Sequence, residues 1–284
     1  MTHTSRCRWP YQRVRYLLLC SHPEPVLTVS SAAFLLALAS GRSWGSLWVG
    51  SAVLTGQLSI GWQNDWLDQK LDQGRADKPL ASRVIAPRLV RQASVLALLA
   101  CIPLSFGSGP QSAAVHLAAV ASGILYNIRL KSTPASVVPY AFSFGMLPAV
   151  ATLGLSGHPW PPLWLTVAAA CLGSGAHFVQ VLPDINRDRS YGVLGLPQRL
   201  GHSRSLAVAI ALLGVFVVTL AQGIGLRTGP GVAVLVAGLA LCLAVAGAAL
   251  LSRPRMALRI TMAGAAGLAL VLLGLWAGRV GFSR

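Results

Sequence analysis

The chain has 284 residues, of which 54% are hydrophobic and 11% charged, and its mean hydropathy is +0.63. Soluble domains carry roughly 25% charged residues, so a soluble globular protein is excluded and an all-α membrane protein is expected. The net charge of +16 would suit nucleic acid. There is no interleaved basic–aromatic stripe, however, and basic residues of membrane proteins gather on the cytoplasmic side, so nucleic acid is not an expected partner. The five cysteines are scattered without a C-x-x-C, and they suggest neither a disulfide framework nor a zinc site.

Residues 1–21 read as a basic cytoplasmic arm. His22-Pro23-Glu24-Pro25 interrupts the apolar core that a cleaved signal would need. Residues 22–284 then form one transmembrane domain. A bilayer core takes about 20 apolar residues per helix, and nine blocks qualify as candidates. They run Val26–Ser40, Trp44–Gln63, Arg88–Phe106, Gln111–Ile128, Ser136–Leu155, Pro162–Leu182, Ser205–Ile224, Pro230–Leu251 and Met256–Val280. The first is short and has room to extend back to Tyr16 across the prolines. Pro139 and Pro148 should bend the fifth.

Charge asymmetry tests this count. With a cytoplasmic N-terminus, 19 Lys/Arg fall in cytoplasmic segments and only four (Arg42, Arg227, Arg279 and Arg284) on the other side. That split supports nine helices in this orientation. The spacing of the charged loops repeats every four helices, which suggests two parallel halves around one cavity.

Acidic residues are few, seven in all, and five of them form two clusters. Asp65, Asp68 and Asp72 follow the second span; Asp184 and Asp188 follow the sixth. Spacings of three and four place each set on one face if its helix continues. Asn64 would join the first. Clustered carboxylates repel unless a cation neutralises them, and Mg²⁺ commonly takes one or two carboxylates plus substrate phosphates. Two carboxylate faces at one membrane side could therefore clamp a diphosphate through Mg²⁺. Lys78, Arg129, Lys131 and Arg187 are candidates for the remaining phosphate oxygens, although each alone reads equally well as a topological anchor.

The pattern N-D-x-x-D-x-x-x-D at Asn64–Asp72, with D-x-x-x-D at Asp184–Asp188, resembles the two motifs of the UbiA superfamily of intramembrane prenyltransferases. Tyr126-Asn127-Ile128-Arg129-Leu130-Lys131 resembles that family's Tyr-and-basic loop, and His22–Pro25 the approach to its first helix. The resemblance implies nine transmembrane helices around a central cavity, with a cytosol-facing cap that carries the motifs. It also implies Asp65, Asp68, Asp72, Asp184 and Asp188 as Mg²⁺ ligands, with Asn64 beside them. Arg129 and Lys131 would contact the diphosphate, and Tyr126 would sit near the reacting centre. The sequence departs from the family after the first motif. Many members have Arg-Pro there; this chain has Lys78-Pro79, and a lysine binds as a point charge, not a fork.

The function so implied is Mg²⁺-dependent transfer of a prenyl group from an isoprenoid diphosphate to a small acceptor, aromatic or quinone-precursor, within a bacterial cytoplasmic membrane. Asp68, Asp72, Asp184, Asp188 and Tyr126 would be the catalytic residues, and lipid would surround the chain. Two alternatives remain at this stage: a membrane terpene cyclase on the same fold, and a divalent-cation carrier. Clustering of the carboxylates at one face, away from mid-membrane, argues against the carrier. Trp62, Trp66, Tyr140, Phe142, Phe144 and Phe178 could face a developing cation, but Trp and Tyr also belong at bilayer interfaces and Phe is ordinary packing material. His116 and His177 lie inside apolar blocks. His177, seven before Asp184, shares its helical face, but a helix–helix hydrogen bond is the simpler role. Gln57, seven before Asn64, could line the cavity.

Overall fold

The computed structural model describes residues 10–251, 253, 256–261, 263, 264 and 267. Eleven α-helices lie between residues 10 and 250, in chain order: α1 Pro10–Cys20, α2 Pro23–Ala39, α3 Gly45–Leu67, α4 Pro87–Phe106, α5 Pro110–Ile128, α6 Val138–Thr152, α7 Leu163–Val181, α8 Ile185–Ser190, α9 Leu196–Leu200, α10 His202–Ile224 and α11 Gly229–Leu250. Prolines start many of them: Pro23, Pro87, Pro110, Pro139, Pro197 and Pro230 all sit in the first turn, where the missing N–H has no intrahelical partner to lose. Pro139 therefore begins α6, after a 3₁₀ turn at Pro134–Val137, and only Pro148 lies inside that helix.

Eight of the nine expected spans have a helix in this set. The ninth falls mostly outside the described residues, which are helical at 256–261, and Arg255, Arg279 and Arg284 lie outside them. The extension of the first span to Tyr16 does not occur as one helix. α1 ends at Cys20 and α2 begins at Pro23, with His22 between them at φ 57. Among the described residues, counting the 3₁₀ turn that leads into α6 and joining α7 to α8 through the 3₁₀ turn between them, five helical stretches (Pro87–Phe106, Pro134–Thr152, Leu163–Ser190, His202–Ile224 and Gly229–Leu250) are long and apolar enough to cross a bilayer. The chain is an integral, multi-pass membrane protein. α3 and α5, though long, are less apolar because they carry Gln57, Gln63, Asn64 and Asp65, and His116 and Asn127.

α3 packs against α2 and α4, α5 against α6, α7 against α6 and α10, and α10 against α11. The apolar packing divides into three clusters. One joins α7, α10 and α11 through Phe178, Leu213, Phe216 and Val245. A second joins α2, α3 and α6 through Ala33, Val49, Val53 and Val150. The third lies around Cys20, Trp62 and Val90 and ties α1 to the bundle, with Trp62 Nε1 donating to Leu17 O at 2.7 Å. Gly61 makes this last contact possible. A Cβ there would lie 2.2 Å from Ser21 O, so only glycine lets the α1–α2 turn rest on α3.

Candidate functional site

α3 stops at Leu67, and Asp68 caps its carboxyl end. The helix runs past the expected end at Gln63 but does not continue through the motif, so the condition for all three carboxylates to share one helical face is not met. A turn-rich connection runs from Asp68 to Ala86, and Asp72 N donates to Asp68 O at 2.8 Å. Asp65 is on the last turn of α3, Asp68 at its cap and Asp72 beyond it, so the three carboxylates take different partners.

Asp65 is 2% exposed. Its Oδ1 accepts from Lys78 Nζ at 2.5 Å and lies 3.0 Å from His22 Nε2. Its Oδ2 is buried without a hydrogen-bond partner. Lys78 Nζ is also 3.7 Å from Asp72 Oδ2. Asp68 pairs with Lys131, which arrives on the 3₁₀ turn Leu130–Ser132 after α5. Gly195 allows a second loop to close over that turn, since a Cβ on it would meet Lys131 O at 2.6 Å. Burial pushes the Asp72 carboxyl above the ordinary carboxylate range, more than Lys78 and Arg75 pull it down.

The second motif follows α7. Asp184 ends a 3₁₀ turn, and Asp188 lies in α8. Arg75 joins the motifs: its Nη1 is 3.5 Å from Asp72 Oδ1 and 3.4 Å from Asp184 Oδ2. The hydrogen bond to Asp77 leads the effects that raise the Arg75 guanidinium pKa further, with Asp184 and Asp72 adding to it. The two acidic motifs thus meet at one end of the bundle. Asp188 is buried and accepts from Gln198 Nε2 at 2.7 Å.

The remaining sequence-derived candidates separate. Asn64 Nδ2 donates to Asn127 Oδ1 at 3.3 Å, and Asn127 Nδ2 in turn donates to Ile60 O and Gln63 Oε1 at 3.0 and 3.1 Å. Arg187 does not reach toward the carboxylates. Its Nη2 donates to Leu71 O at 3.0 Å and Gln73 O at 2.7 Å, which pins the first-motif connection to α8. Arg129 caps α5 and is exposed, with no carboxylate partner among the described residues. Gln198 carries no signal in the sequence, Asn127 stands there only within the Tyr-and-basic loop, and Arg75, three residues beyond the first motif, reads there only as a pairing partner of Asp77, a pair that forms.

Below the carboxylates lies a ring cluster. Tyr140 stacks on His177 with centroids 4.3 Å apart, and Tyr126 meets both rings edge-on at 5.1 and 5.6 Å. His177 Nε2 lies 3.4 Å from Ser136 Oγ, and Nδ1 is buried without a partner. Ser136 Oγ also accepts from Leu196 N at 2.9 Å. His116 bonds across helices, its Nδ1 being 2.8 Å from Ser105 Oγ. Phe178 is buried beside His177, and Phe142 is exposed. Trp66 lies under the Arg91 guanidinium, 5.2 Å away. A cavity between α2, α3, α5 and α6 is lined by Val29, Gln57, Ile60, His116, Ser143 and Phe144, among others. Gln57, Ile60 and Asn64 share one face of α3, so the cavity continues the face that carries the first motif.

Among the described residues no three His, Cys, Asp or Glu side chains converge to enclose an ion. The donor set still fits a hard divalent cation. It is all carboxylate oxygen, one buried oxygen of Asp65 has no partner, and Mg²⁺ characteristically completes its shell with water and substrate phosphates. Among the described residues, Asp65, Asp68, Asp72 and Asp184 pair with Arg75, Lys78 and Lys131, and Asp188 is held by Gln198, so the motif carboxylates outnumber the cations paired with them.

A model described as the UbiA prenyltransferase family matches residues 26–265. Solved structures share the fold at low identity. A UbiA homologue from Aeropyrum pernix K1 superposes with a TM-score of 0.72 at 17% identity, over 89% of this chain and 96% of that one. A UbiA homologue from Archaeoglobus fulgidus, bound to DMAPP and Mg²⁺, gives 0.66 at 15% identity, over 89% and 99%. A structure from work on digeranylgeranylglyceryl phosphate synthase gives 0.65 at 16%, over 94% and 98%. No curated protein matches.

Proposed function

Because the chain belongs to the UbiA prenyltransferase family, we propose that it transfers a prenyl group from an isoprenoid diphosphate to a small aromatic or quinone-precursor acceptor, with Mg²⁺, in a bacterial cytoplasmic membrane. The observation that carries this reading is the junction of the two acidic motifs, where one nitrogen of Arg75 touches both Asp72 and Asp184. Residues 112 positions apart (72 and 184) thereby bring their carboxylates to one cation, and carboxylates gathered in this way are suited to holding a multiply charged group.

Asp65, Asp68, Asp72, Asp184 and Asp188 would hold Mg²⁺, which when bound neutralises the diphosphate as it leaves. The side chains of this chain do the rest. Lys78 and Lys131, now paired with Asp65 and Asp68, are placed to turn to phosphate oxygens once their carboxylates take the metal. Asn64, on the same face of α3 as the cavity-lining Gln57 and Ile60, is fixed by Asn127. The rings of Tyr126, Tyr140 and His177 lie next to this end and present π faces to an allylic cation, each worth about 0.5–2 kcal/mol. The cavity walls on α2, α3, α5 and α6 keep water from that cation. Arg187 is assigned to holding the connection after α3, and Arg129 to the protein surface.

The experiment is mass spectrometry of products from membranes supplied with isoprenoid diphosphates of several lengths and a panel of aromatic acceptors. A prenylated acceptor is expected. A cyclic hydrocarbon or alcohol formed without acceptor would replace transfer by cyclisation.

A further inference from the structure

We propose that Arg75 is an internal counter-ion of the two aspartate motifs: a divalent cation entering between them displaces it, and it then binds the phosphate oxygens of the diphosphate. The inference rests on the reading that the two aspartate motifs take a divalent cation together with a diphosphate.

Arg75 is the cationic side chain that reaches the second motif's Asp184, and it does so with the same Nη1 that faces Asp72. Lys78 is held deeper, by Asp65 and Asp72, and Lys131 is held by Asp68. A small cation shared by Asp72 and Asp184 needs their oxygens at about 2.0–2.1 Å, and that position is filled by Arg75 Nη1. The guanidinium has donors only and no lone pair, so it cannot join a metal's shell, and two cations in one place repel. Metal binding and the Arg75 bridge therefore exclude each other.

The displaced side chain stays close by. Arg75 Nη2 and Nε bond Asp77 at 3.1 and 3.3 Å, and Asp77 lies outside both motifs, on the same connection. Asp77 keeps the planar guanidinium at the site, and rotation of the Arg75–Asp77 pair as one unit turns the Nη1 edge from carboxylate to phosphate. That planar pair of N–H donors suits phosphate geometry better than a lysine does.

The test uses the full chain in detergent, Mn²⁺ as the metal probe read by the resonance signal of free Mn²⁺, and inorganic pyrophosphate as the second probe. Wild type, Arg75→Ala and Arg75→Gln are compared, with thermal unfolding to check folding. Each variant is expected to bind Mn²⁺ alone roughly tenfold more tightly than wild type, because no cation has to leave. Each Mn²⁺-loaded variant is expected to bind pyrophosphate roughly tenfold more weakly, because a bidentate partner is gone. A merely structural arginine would weaken both, so opposite signs are the signature. Arg75→Gln keeps length and hydrogen bonding without charge, and it decides the matter should Arg75→Ala fail to fold. Mn²⁺ affinity unchanged or weakened in the folded variants, or pyrophosphate affinity unchanged, overturns the proposal. Failure of Mn²⁺ to bind any of the three chains overturns the reading beneath it.

Discussion

Asp65 and Lys78 form the most buried ion pair at the motif end, and their coupling is measurable. Asp65 is 2% exposed, and the Lys78 side chain is 14% exposed. Removing one partner of a buried pair typically costs about 3–5 kcal/mol, because the other charge is left uncompensated. Lys78→Met takes the ammonium from the Asp65 carboxylate and leaves it beside His22 at 3.0 Å, so a loss of about 3–5 kcal/mol is expected. Asp65→Asn leaves Lys78 within 3.7 Å of Asp72, which retains part of the attraction, so about 2–3 kcal/mol is expected. The double variant strands neither charge and should cost no more than Lys78→Met alone. The coupling energy is then about 2–3 kcal/mol, read by equilibrium unfolding of the four proteins in mixed micelles. Repeating the cycle with saturating Mg²⁺ and pyrophosphate should lower it, since metal then takes over Asp65 and Lys78 turns to phosphate. Single-variant losses that add to within about 0.5 kcal/mol in the metal-free protein would refute the pair as an energetic unit.

Asp68→Asn and Asp184→Asn should each abolish turnover in membranes while the protein still inserts; retention of more than about a tenth of the activity, a barrier change below about 1.4 kcal/mol, counts against metal ligation. EDTA should remove activity and Mg²⁺ restore it, and indifference to the chelator in a product assay would contradict the mechanism. Gly61→Ala should destabilise the protein by about 1–3 kcal/mol, because its Cβ would meet backbone that cannot turn aside as a side chain does; the clash with Ser21 O is at 2.2 Å. An unchanged melting temperature in detergent would contradict this account of how α1 and α2 seat on α3.

The period of the apolar blocks made eight helices legible to within a few residues, since the length of an apolar run is set by the bilayer. The acidic motifs were legible because carboxylates are so scarce in this chain. Three things were not. The end of α3 at Leu67 was hidden because Asp68, Gln69 and Lys70 carry no glycine or proline to mark a stop. The helical structure of residues 10–20 was hidden by its basic residues, which read as a solvated arm although Cys20 is in the core. The partners of each carboxylate were hidden altogether. Spacing along a chain says nothing about which cation arrives from 63 or 109 residues away, as Lys131 does for Asp68 and Arg75 for Asp184.

The polar residues that reduce the apolar character of α3 and α5 explain why these two helices, and not α10 or α11, border the site. In lipid a polar side chain must find a partner inside the protein. Asn127 answers Asn64, Gln63 and Ile60 across the two helices, and His116 answers Ser105. α11, apolar along its whole length, needs no such neighbours and packs on α10 through Val234, Leu241 and Val245 in the cluster around Leu213. The bundle thus sorts itself by hydrogen bonding. Helices with unmet polar groups turn inward and meet, which fixes the end of α3 with its first-motif carboxylates, while Lys131 after α5 and Arg75 in the connection after α3 supply the charge that ties them together and to Asp184 after α7. On this argument Asn127→Leu should loosen α3 from α5 and disturb Asp68 without touching it. The expected result is a lower melting temperature together with a raised Mg²⁺ requirement in the product assay; a loss of stability with the Mg²⁺ requirement unchanged would separate packing from function and break the argument.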